Sequence, residues 1–483
     1  MNRFTIAAIA LHSSLIFASA DAQGMGGPRS DRPSHCASPE LAKLVASDAW
    51  YGDLFGISVA LDGDTTVIGA SSDSHVGAED AGSAYVFVRD GGTWVLQQKL
   101  IPLDIVANDF FGVSVALSGD TVLVGSPNDS HAGGSVAGSA YVFTRSGSTW
   151  TQQAKLTASD AATGQSFGVA VALVADTAVV GAYGDDHAGL FSGSAYVFTR
   201  SGTVWTQQQK LTASDAANYD RFAEAVALSG ETALIGATGS GGTNAGAAYV
   251  FVRSSGVWTQ QQKLTSSDLE DNDYFGDSVS LDGDTAVMGA TGDSHAGGTS
   301  AGSAYVFTRS GTTWAEQAKL TAFDAMSWDL CGYSVAVAGD TALVGAWGGD
   351  NAPVYGCGAA YVFTRAGAVW TQLKKLAASD AANDDVFGVA VAISADTALI
   401  GAYSDDHSSV NDAGSAYFFT EVAQVGPPCP ANIVCDVSVN VPDLLAVINF
   451  WGPCAGCPAD VNDDGQVNVP DLLAVINTWG PCP

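Results

Sequence analysis

The chain of 483 residues is poor in positive charge. It has 18 Lys and Arg residues against 50 Asp and Glu, which gives a formal net charge of −32 at pH 7. Such a surface repels the phosphate backbone of a nucleic acid, so this class of partner is excluded. The charge favours a protein that stays soluble in a salty or calcium-bearing exterior.

Long apolar runs are also missing. The longest, residues 4–18, is too short to span a bilayer comfortably. Because Arg3 precedes it and small residues follow it, we predict a secretory signal peptide over residues 1–22, cleaved after Ala22 or Ala20. A membrane anchor is the alternative reading of this segment. Apart from it, the sequence predicts no transmembrane segment.

Recognisable enzyme motifs are missing as well. No HExxH zinc motif or phosphate-binding loop occurs, and the acids recur regularly instead of forming one singled-out acid/base pair. Gly298-x-Ser300-x-Gly302 matches the nucleophile-elbow pattern, but it lies in a repeated loop and we interpret it as a chance match. The sequence therefore predicts a non-catalytic protein.

What the chain does contain is seven copies of one repeat between Leu44 and Phe419. Each copy has four short apolar runs, which in the third copy read FGVAVAL, TAVVGA, SAYVFTR and WTQQQKL, and their alternation suits strands. Only the last run is polar along one side, which places it at the outer edge. The glycine of the FG element returns at steps of 53 to 56 residues, with Ala in the fourth copy: Gly56, Gly112, Gly168, Ala223, Gly276, Gly332 and Gly388.

Such a regular period indicates a stacked or radial array. We predict an all-β fold, a seven-bladed β-propeller of four-stranded blades over residues 37–420, preceded by a flexible lead-in at 23–36. An array of β-sandwiches is the alternative, but each copy is too short for an independent domain. Since the chain starts on an outer strand and ends on a third strand, we predict that Pro39–Val45 completes the blade that ends at residues 417–420.

The FG that starts one strand and the VGA that ends the next resemble the FG-GAP repeats of the integrin α-chain propeller, which also has seven copies. The resemblance covers residues 40–420 and implies a propeller that binds partners. Integrin-type repeats often carry a calcium loop between these strands. Here the connection is a tight SGDT or DGDT turn, as at Ser118–Thr121 and Asp282–Thr285, which has too few ligands for calcium.

The two longer kinds of loop are predicted to emerge on one face, where binding residues concentrate. Their acids are patterned. One Asp recurs in all seven copies, at Asp48, Asp104, Asp160, Asp215, Asp268, Asp324 and Asp380. Another recurs two residues before the FG, with Gln165 in the third copy, at Asp53, Asp109, Asp220, Asp273, Asp329 and Asp385. An Asp-x-His motif occurs at Asp73/His75, Asp129/His131, Asp185/His187, Asp293/His295 and Asp405/His407.

These acids and histidines have two interpretations. They either hydrogen-bond within the loops and hold them in shape, or they form a ring of cation or ligand sites. Repetition in every copy favours the structural interpretation. The fourth and sixth copies lack the His motif, so we expect an off-centre partner to bind beside Trp347, Tyr355 and Gly241.

After a linker at 421–428, a second repeat system begins, in which residues 429–454 align without gaps on residues 457–482. Each half is a polar loop followed by a predicted amphipathic helix. This segment, 429–483, resembles a type I dockerin. The resemblance implies a small α EF-hand-like domain that binds calcium and docks to a cohesin-like or other cell-surface protein.

The second loop carries oxygen ligands at the EF-hand spacing, with Gly465 at the sharp turn. In the first loop, Val434 and Val437 stand where a ligand and a glycine are needed. We therefore predict one Ca²⁺ site rather than two; the alternative is that 460–471 is only a polar turn. The predicted ligands are Asp460, Asn462, Asp464, the Gln466 carbonyl, Asn468 through water, and Asp471.

Eight Cys residues in an exported chain are expected to form disulfides. In the sixth copy, a bridge between Cys331 and Cys357 is plausible because both lie at the same end of one blade. For the tail, symmetry predicts Cys429–Cys454 and Cys457–Cys482, with Cys429–Cys482 and Cys454–Cys457 as the alternative. Cys36 and Cys435 are left over and are predicted to pair.

Three functions are open at this point. The first is a secreted, non-catalytic binding protein whose propeller engages a protein or a glycan and whose tail docks to a partner. The second is an extracellular polysaccharide-acting enzyme or an accessory component of a dockerin-linked complex, suggested by association only. The third is a structural envelope protein.

Overall fold

A computed structural model describes residues 40–349, 354–407, 410–420 and 422, with four two-residue strands nearer the C-terminus. Every regular element among these residues is a β-strand. Residues Ser38–Ala423 belong to one compact unit. It contains seven four-stranded antiparallel sheets, so the predicted propeller of four-stranded blades is confirmed.

The strands of this unit follow the repeat. In the first four blades they are β2 (Phe55–Asp62), β3 (Thr65–Ala70), β4 (Ser83–Asp90), β5 (Thr93–Leu100), β6 (Val115–Ser118), β7 (Thr121–Ser126), β8 (Ser139–Ser146), β9 (Thr149–Leu156), β10 (Val171–Val174), β11 (Thr177–Ala182), β12 (Ser194–Ser201), β13 (Val204–Leu211), β14 (Phe222–Ser229), β15 (Thr232–Ala237), β16 (Ala247–Ser254) and β17 (Val257–Leu264). The last three blades contain β18 (Val279–Asp282), β19 (Thr285–Ala290), β20 (Ser303–Ser310), β21 (Thr313–Leu320), β22 (Ser334–Ala338), β23 (Thr341–Ala346), β24 (Ala359–Ala366), β25 (Val369–Leu376), β26 (Ala390–Ser394), β27 (Thr397–Ala402), β28 (Ser415–Phe419) and, from the start of the chain, β1 (Glu40–Leu44).

The order of strands within a blade runs from the axis outward. First strands of successive blades contact one another around the ring, and β26 contacts β2 to close it. Second strands such as TAVVGA are buried along their whole length, because sheets pack against both of their faces. The last strand is the outer one and is less buried than the second, with exposed residues at its start and a half-buried run after them, as its polar side predicts.

Glycines bring neighbouring blades into backbone contact. Gly112 of the second blade has φ of +95°, and a Cβ atom there would lie 2.2 Å from the Ser83 carbonyl oxygen of the first blade. A Cβ on Gly69 would lie 1.9 Å from the Gly112 carbonyl oxygen. The FG and VGA glycines are therefore required where two backbones meet.

The first strands differ from the expected length. The run FGVAVAL predicts a strand from the FG onward, but in the second and third blades the strand begins only at Val115 and Val171. The residue before FG, Phe110 or Ser166, has a left-handed backbone with φ of +52° or +53°. The same left-handed residue stands before FG in the first and fourth blades, at Leu54 and Arg221, yet β2 and β14 begin at Phe55 and Phe222, so this turn alone does not set the start of the strand.

The predicted closure of the ring is confirmed. Strand β1 pairs antiparallel with β28, with Leu44 opposite Ala416 and Lys43 opposite Tyr417. It thus supplies the outer strand of the seventh blade, and both ends of the propeller segment are fixed in one sheet.

The predicted bridge between Cys331 and Cys357 is wrong: both side chains are buried thiols. The Cys331 N–H donates to Ala301 of the fifth blade, whereas the Cys357 carbonyl accepts the Phe387 N–H of the seventh blade. The two residues therefore contact different neighbouring blades from opposite faces of the sixth blade. Burial raises the pKa of the Cys331 thiol to about 12, which makes it a poor nucleophile.

Near the C-terminus, β29 (Ser438–Val439) pairs with β32 (Gly480–Pro481), and β30 (Gly452–Pro453) pairs with β31 (Gln466–Val467). The two pairings are equivalent, because β29 and β31, like β30 and β32, are related by the 28-residue offset of the second repeat system. The predicted helices, the four predicted cysteine pairing positions in the tail, Cys36, Cys435 and the signal peptide lie outside the described residues.

Closure leaves one buried donor unpaired. In five blades, the Trp that leads the outer strand donates its indole N–H to a Gln of the preceding blade, as Trp150 does to Gln97 at 2.7 Å. Leu41 of β1 occupies the register position of Gln97. The Trp94 indole N–H, which faces β1, consequently has no partner.

We predict that Leu41→Gln stabilises the protein. A glutamine there supplies the acceptor that Trp94 lacks, which is worth about 1 kcal/mol in the free energy of unfolding. Denaturant unfolding measures the change, and Leu41→Ala is the control that removes the exposed Leu side chain without adding an acceptor. An equal gain from Leu41→Gln in a Trp94→Phe background would contradict this account.

Candidate functional site

Strand direction divides the propeller into two unlike faces. Turns of about two residues join the first strand to the second and the third to the fourth, and all of them lie on one face, here called the hairpin face. The longer connections, such as residues 71–82 and 101–110, lie on the other, here called the long-loop face. The sequence prediction that both long kinds of loop share a face is confirmed.

On the long-loop face, a lysine of each outer strand gathers the repeated acids. In the first blade, Lys99 Nζ lies 2.7 Å from Asp48 and 2.5 Å from Asp73. The Tyr85 hydroxyl donates to the same two carboxylates, at 2.8 and 3.0 Å. Burial disfavours the charged ammonium, but these hydrogen bonds and charges outweigh it and raise the pKa of Lys99.

The same cluster recurs in four other blades. Each lysine contacts an acid from each of the two long loops at Lys43/Asp380/Asp405, Lys155/Asp104/Asp129, Lys210/Asp160/Asp185 and Lys319/Asp268/Asp293. In the fourth blade, Ser240 replaces the second acid, and Lys263 contacts Asp215 and Ser240. Each two-acid cluster keeps one net negative charge, but every acid in it is paired with a lysine, so no ring of unpaired carboxylates results.

The acid two residues before FG has a different structural role. The Asp53 carboxylate accepts the Trp50 N–H at 2.6 Å, which closes a turn in the long loop. The same bond is made by Asp109, Asp220, Asp273, Asp329 and Asp385. Gln165 makes it in the third blade through its amide oxygen, at 2.9 Å from the Ala162 nitrogen. An uncharged group therefore suffices at this position.

Burial makes ionisation of these turn acids unfavourable. The Asp53 side chain is 2% exposed. Burial raises its pKa to about 7, and the nearby Asp73 adds to the effect. For the equivalent Asp109, Asp273 and Asp385, burial raises the pKa to about 6.

Four of the five histidines of the Asp-x-His motif also bond within their loops through a ring nitrogen, whereas the buried His407 Nε2 has no hydrogen-bond partner among the described residues. His75 Nε2 lies 3.0 Å from the Gly82 carbonyl oxygen, and His131 and His295 repeat the contact to Gly138 and Gly302. His187 uses Nδ1 instead, 3.1 Å from Ser192 Oγ. The structural interpretation of the repeated acids and histidines is thereby supported.

Within the described part of the chain, no group of three His, Cys, Asp or Glu side chains is arranged to hold a metal ion. The ring of cation sites considered as an alternative is not formed there. The predicted calcium ligands lie outside the described residues, except that the Gln466 backbone belongs to β31.

Exposed aromatic side chains distinguish the two faces. In the described residues, every large aromatic side chain with more than about a third of its surface exposed lies in a loop of the long-loop face: Trp50, Tyr51, Phe191, Tyr219, Phe323, Trp328 and Tyr355. The large exposed side chains of the hairpin face are aliphatic, at Val204, Val257 and Val369. An aromatic surface that is confined to one face favours binding there.

The three residues singled out from the sequence lie on this face but do not form one site. Tyr355 is 66% exposed. Trp347 is half-buried, with its ring 5.9 Å from that of Tyr333 and its indole N–H without a partner. Gly241 belongs to the fourth blade, and a Cβ there would meet only the Ala245 Cβ, at 3.9 Å. Sequence reasoning missed Phe191, Tyr219 and Arg221, although Phe191 and Arg221 have no counterpart of their type in the other copies and Tyr219 has one only in Trp328 of the sixth.

Ser300 of the GxSxG match is not a nucleophile elbow. It lies in a loop between β19 and β20, and its N–H donates to Ser294 Oγ. The interpretation of this motif as a chance match agrees with that placement. Among the described residues, no helix is long and apolar enough to cross a membrane.

The raised pKa values of the turn acids predict a pH dependence of stability. An Asp whose folded pKa exceeds its unfolded value near 3.9 contributes full stability below pH 4 and loses it as the pH rises through about 6 to 7. At pH 8, the free energy of unfolding of Asp53→Asn should therefore exceed that of wild type by about 1 kcal/mol, after allowance for solvent screening. The difference should vanish at pH 4.

Denaturant unfolding between pH 4 and pH 8 measures this effect. Gln165→Asp is the reciprocal control. It places a buried carboxylate beside the Asp185 carboxylate, to which the Gln165 Nε2 donates at 2.8 Å in the wild type. That variant should lose stability as the pH rises. Parallel pH curves for wild type and Asp53→Asn would refute the burial argument.

Comparison with known proteins agrees with the geometry. The family described as FG-GAP repeat matches the chain seven times, at residues 39–87, 94–143, 150–198, 205–251, 258–307, 314–363 and 370–419. No match is found among the curated proteins. Each of the seven matches spans the outer strand of one blade and the first three strands of the next, and together they cover more than half of the chain. The chain belongs to the FG-GAP repeat family.

Proposed function

We propose that this protein is a secreted, non-catalytic binding protein whose long-loop face engages a protein or a glycan. The observation that carries the proposal is the confinement of the exposed aromatic side chains to that face. Exposed aromatic groups lose water readily and give large contact areas with little loss of side-chain entropy. The FG-GAP propeller is moreover a fold typical of binding proteins, as in integrin α-chains.

The repeated acids argue against catalysis at this face. A general acid or base must be able to reach a substrate, whereas the repeated carboxylates pair with lysines or close turns. The enzymatic alternative therefore has no observation of its own in its favour. The structural-envelope alternative is left without a role for the exposed aromatic rings.

The C-terminal segment is proposed to dock the propeller to a cohesin-like or other surface protein, with Ca²⁺ holding its second loop. The proposed ligands are Asp460, Asn462, Asp464, Gln466, Asn468 and Asp471. Six positions of that loop agree with the EF-hand spacing. The symmetric pairing of β29 with β32 and of β30 with β31 is compatible with two similar halves.

A pair of face variants tests the binding role. One replaces Trp50, Tyr219, Trp328 and Tyr355 by polar residues, and the matched control replaces Val204, Val257 and Val369 of the hairpin face by Ser. Both are tested on arrays of immobilised polysaccharides and host surface proteins. We expect the first to lose binding about tenfold or more and the second to retain it. Equal loss in both, or release of cleaved glycan by wild type, would refute the proposal.

Calcium titration of the full chain tests the tail. We expect about one Ca²⁺ per chain with a Kd near 10⁻⁴ to 10⁻³ M, measured by isothermal titration calorimetry. Asp464→Ala should abolish the binding because it removes a carboxylate ligand, and Asp436→Ala in the first loop should leave it nearly unchanged. Two equivalent sites, or none, would contradict this assignment.

A further inference from the structure

Three aromatic rings form a stack on the long-loop face where the third and fourth blades meet. The ring centroids of Tyr183 and Phe191 are 6.3 Å apart, and those of Phe191 and Tyr219 are 6.0 Å apart, with interplanar angles of 19° and 16°. Rings at these separations overlap only in part. Since Phe191 is 39% and Tyr219 54% exposed, ring surface remains open to solvent. These three residues are called the aromatic platform.

The backbone beneath the aromatic platform is tied together across the two blades. The Tyr219 N–H donates to the Leu190 carbonyl at 2.7 Å, and the Arg221 N–H donates to that of Phe191 at 2.9 Å. The Asn218 side chain accepts the Leu190 N–H at 2.9 Å. The rings are consequently held in place before any ligand arrives, which lowers the entropic cost of binding.

The aromatic platform is built at positions that disfavour large side chains. Tyr219 has φ of +65° and Phe191 has φ of +52°. The other blades have the left-handed backbone at the position of Tyr219 too, but five of them use Gly, Asn or Asp: Gly52, Asn108, Gly164, Asn272 and Asp384. A tyrosine in this conformation is strained where Gly or Asn is not. The fold does not require a tyrosine at this position, so the presence of Tyr219 favours a role other than folding.

Arg221 lies two residues from Tyr219 and differs from the other described arginines. Those six each pair with a carboxylate at a hairpin turn and lie over a Trp ring, as Arg145 does with Asp120 and Trp150. The half-buried Arg221 guanidinium makes no hydrogen bond or ion pair with a described residue. Its charge reaches the aromatic platform: burial raises the pKa of Tyr183, a hydrogen bond to Ser166 lowers it, and the charges of Glu224 and Arg221 act on it in opposite directions.

The fourth blade is also where the repeated cluster loses negative charge. In the first blade, one lysine faces two carboxylates, Asp48 and Asp73. In the fourth, Ser240 replaces the second carboxylate, so Lys263 and Asp215 balance each other. This cluster of the fourth blade therefore has one negative charge fewer than that of the first blade, while Glu224 is the carboxylate that acts on the same ring as Arg221.

We propose that the aromatic platform and Arg221 form a binding site for an acidic, uronate-containing carbohydrate. The C–H face of a pyranose ring would pack on the aromatic platform, and the sugar carboxylate would accept two hydrogen bonds from the guanidinium, a geometry that arginine favours. This inference rests on the proposed function and names the ligand class for one part of the long-loop face.

The size of the surface favours a glycan over a folded protein partner. A stable protein interface needs about 800 Å² on each side, from 20 to 30 residues. The exposed apolar surface here comes from Leu190 and the aromatic platform alone. A stack of three rings beside one cation matches the width of an extended sugar chain.

Oligogalacturonate, with its fully methyl-esterified form as the neutral counterpart, is the probe, titrated into the full chain without added calcium. Because the protein carries a net charge of −32, non-specific attraction of the polyanion is excluded. We expect wild type to prefer the acid form. Arg221→Gln should weaken binding of the acid about 10- to 100-fold while sparing the ester. Tyr219→Asn should weaken both.

Val204→Ser is the matched control. It removes an exposed apolar side chain of the third blade on the opposite, hairpin face, and should leave binding unchanged. Tyr219→Asn should have a Tm at or above that of wild type, because Asn adopts this backbone readily, so loss of binding is not loss of folding.

Equal affinity of wild type for acid and ester, or binding that survives both Tyr219→Asn and Arg221→Gln, would overturn the inference. If those two variants bind normally while the four-residue long-loop variant does not, the proposed function stands and this site is wrong. If neither affects any ligand, both fail.

Discussion

Contact between the backbones of neighbouring blades is the constraint on which the rest of the propeller depends. A Cβ at Gly69 or Gly112 would collide with a carbonyl of the adjacent blade, so both positions exclude larger residues in most copies. Close approach in turn brings each loop of one blade against a loop of the next. The Phe111 N–H, for example, donates to Ala81 of the preceding blade. The long-loop face is thus a continuous surface, and a site on it can draw residues from two blades.

This constraint explains the use of the acids. Long loops with little apolar core need polar groups to hold them. Lysines of the outer strands gather two loops at once through carboxylates such as Asp48 and Asp73, and buried turn acids such as Asp53 hold a third segment. The acids that dominate the composition therefore maintain the shape of the face. The recognition that we propose falls to residues that depart from the repeat.

Much of this could be predicted from the sequence, because the period carries the fold. Seven copies, their strand order and the closure by β1 follow from counting motifs, and the structural role of the repeated acids follows from their presence in every copy. The prediction of a Cys331–Cys357 bridge was wrong because the position of a residue along one blade does not reveal which neighbouring blade its side chain faces. The aromatic platform was not predicted from the sequence, for a related reason. Tyr183 and Phe191 lie in one copy and Tyr219 in the next, so a comparison of single positions within copies does not bring them together.

The sixth blade has some features of the proposed site and lacks others. Like the fourth, it lacks the second acid of the cluster, having Gly349 there, and it has a large aromatic residue, Trp328, with φ of +73°. Yet Ser300 of the preceding blade stands where Phe191 stands, and Leu330 replaces Arg221. Trp328 is 53% exposed and stacks on no other described ring. Exposed aromatic surface and charge recognition thus vary independently between blades of one scaffold. A propeller of near-identical blades can in this way carry one discriminating site, since its specificity comes from the few positions where the repeat is broken in combination.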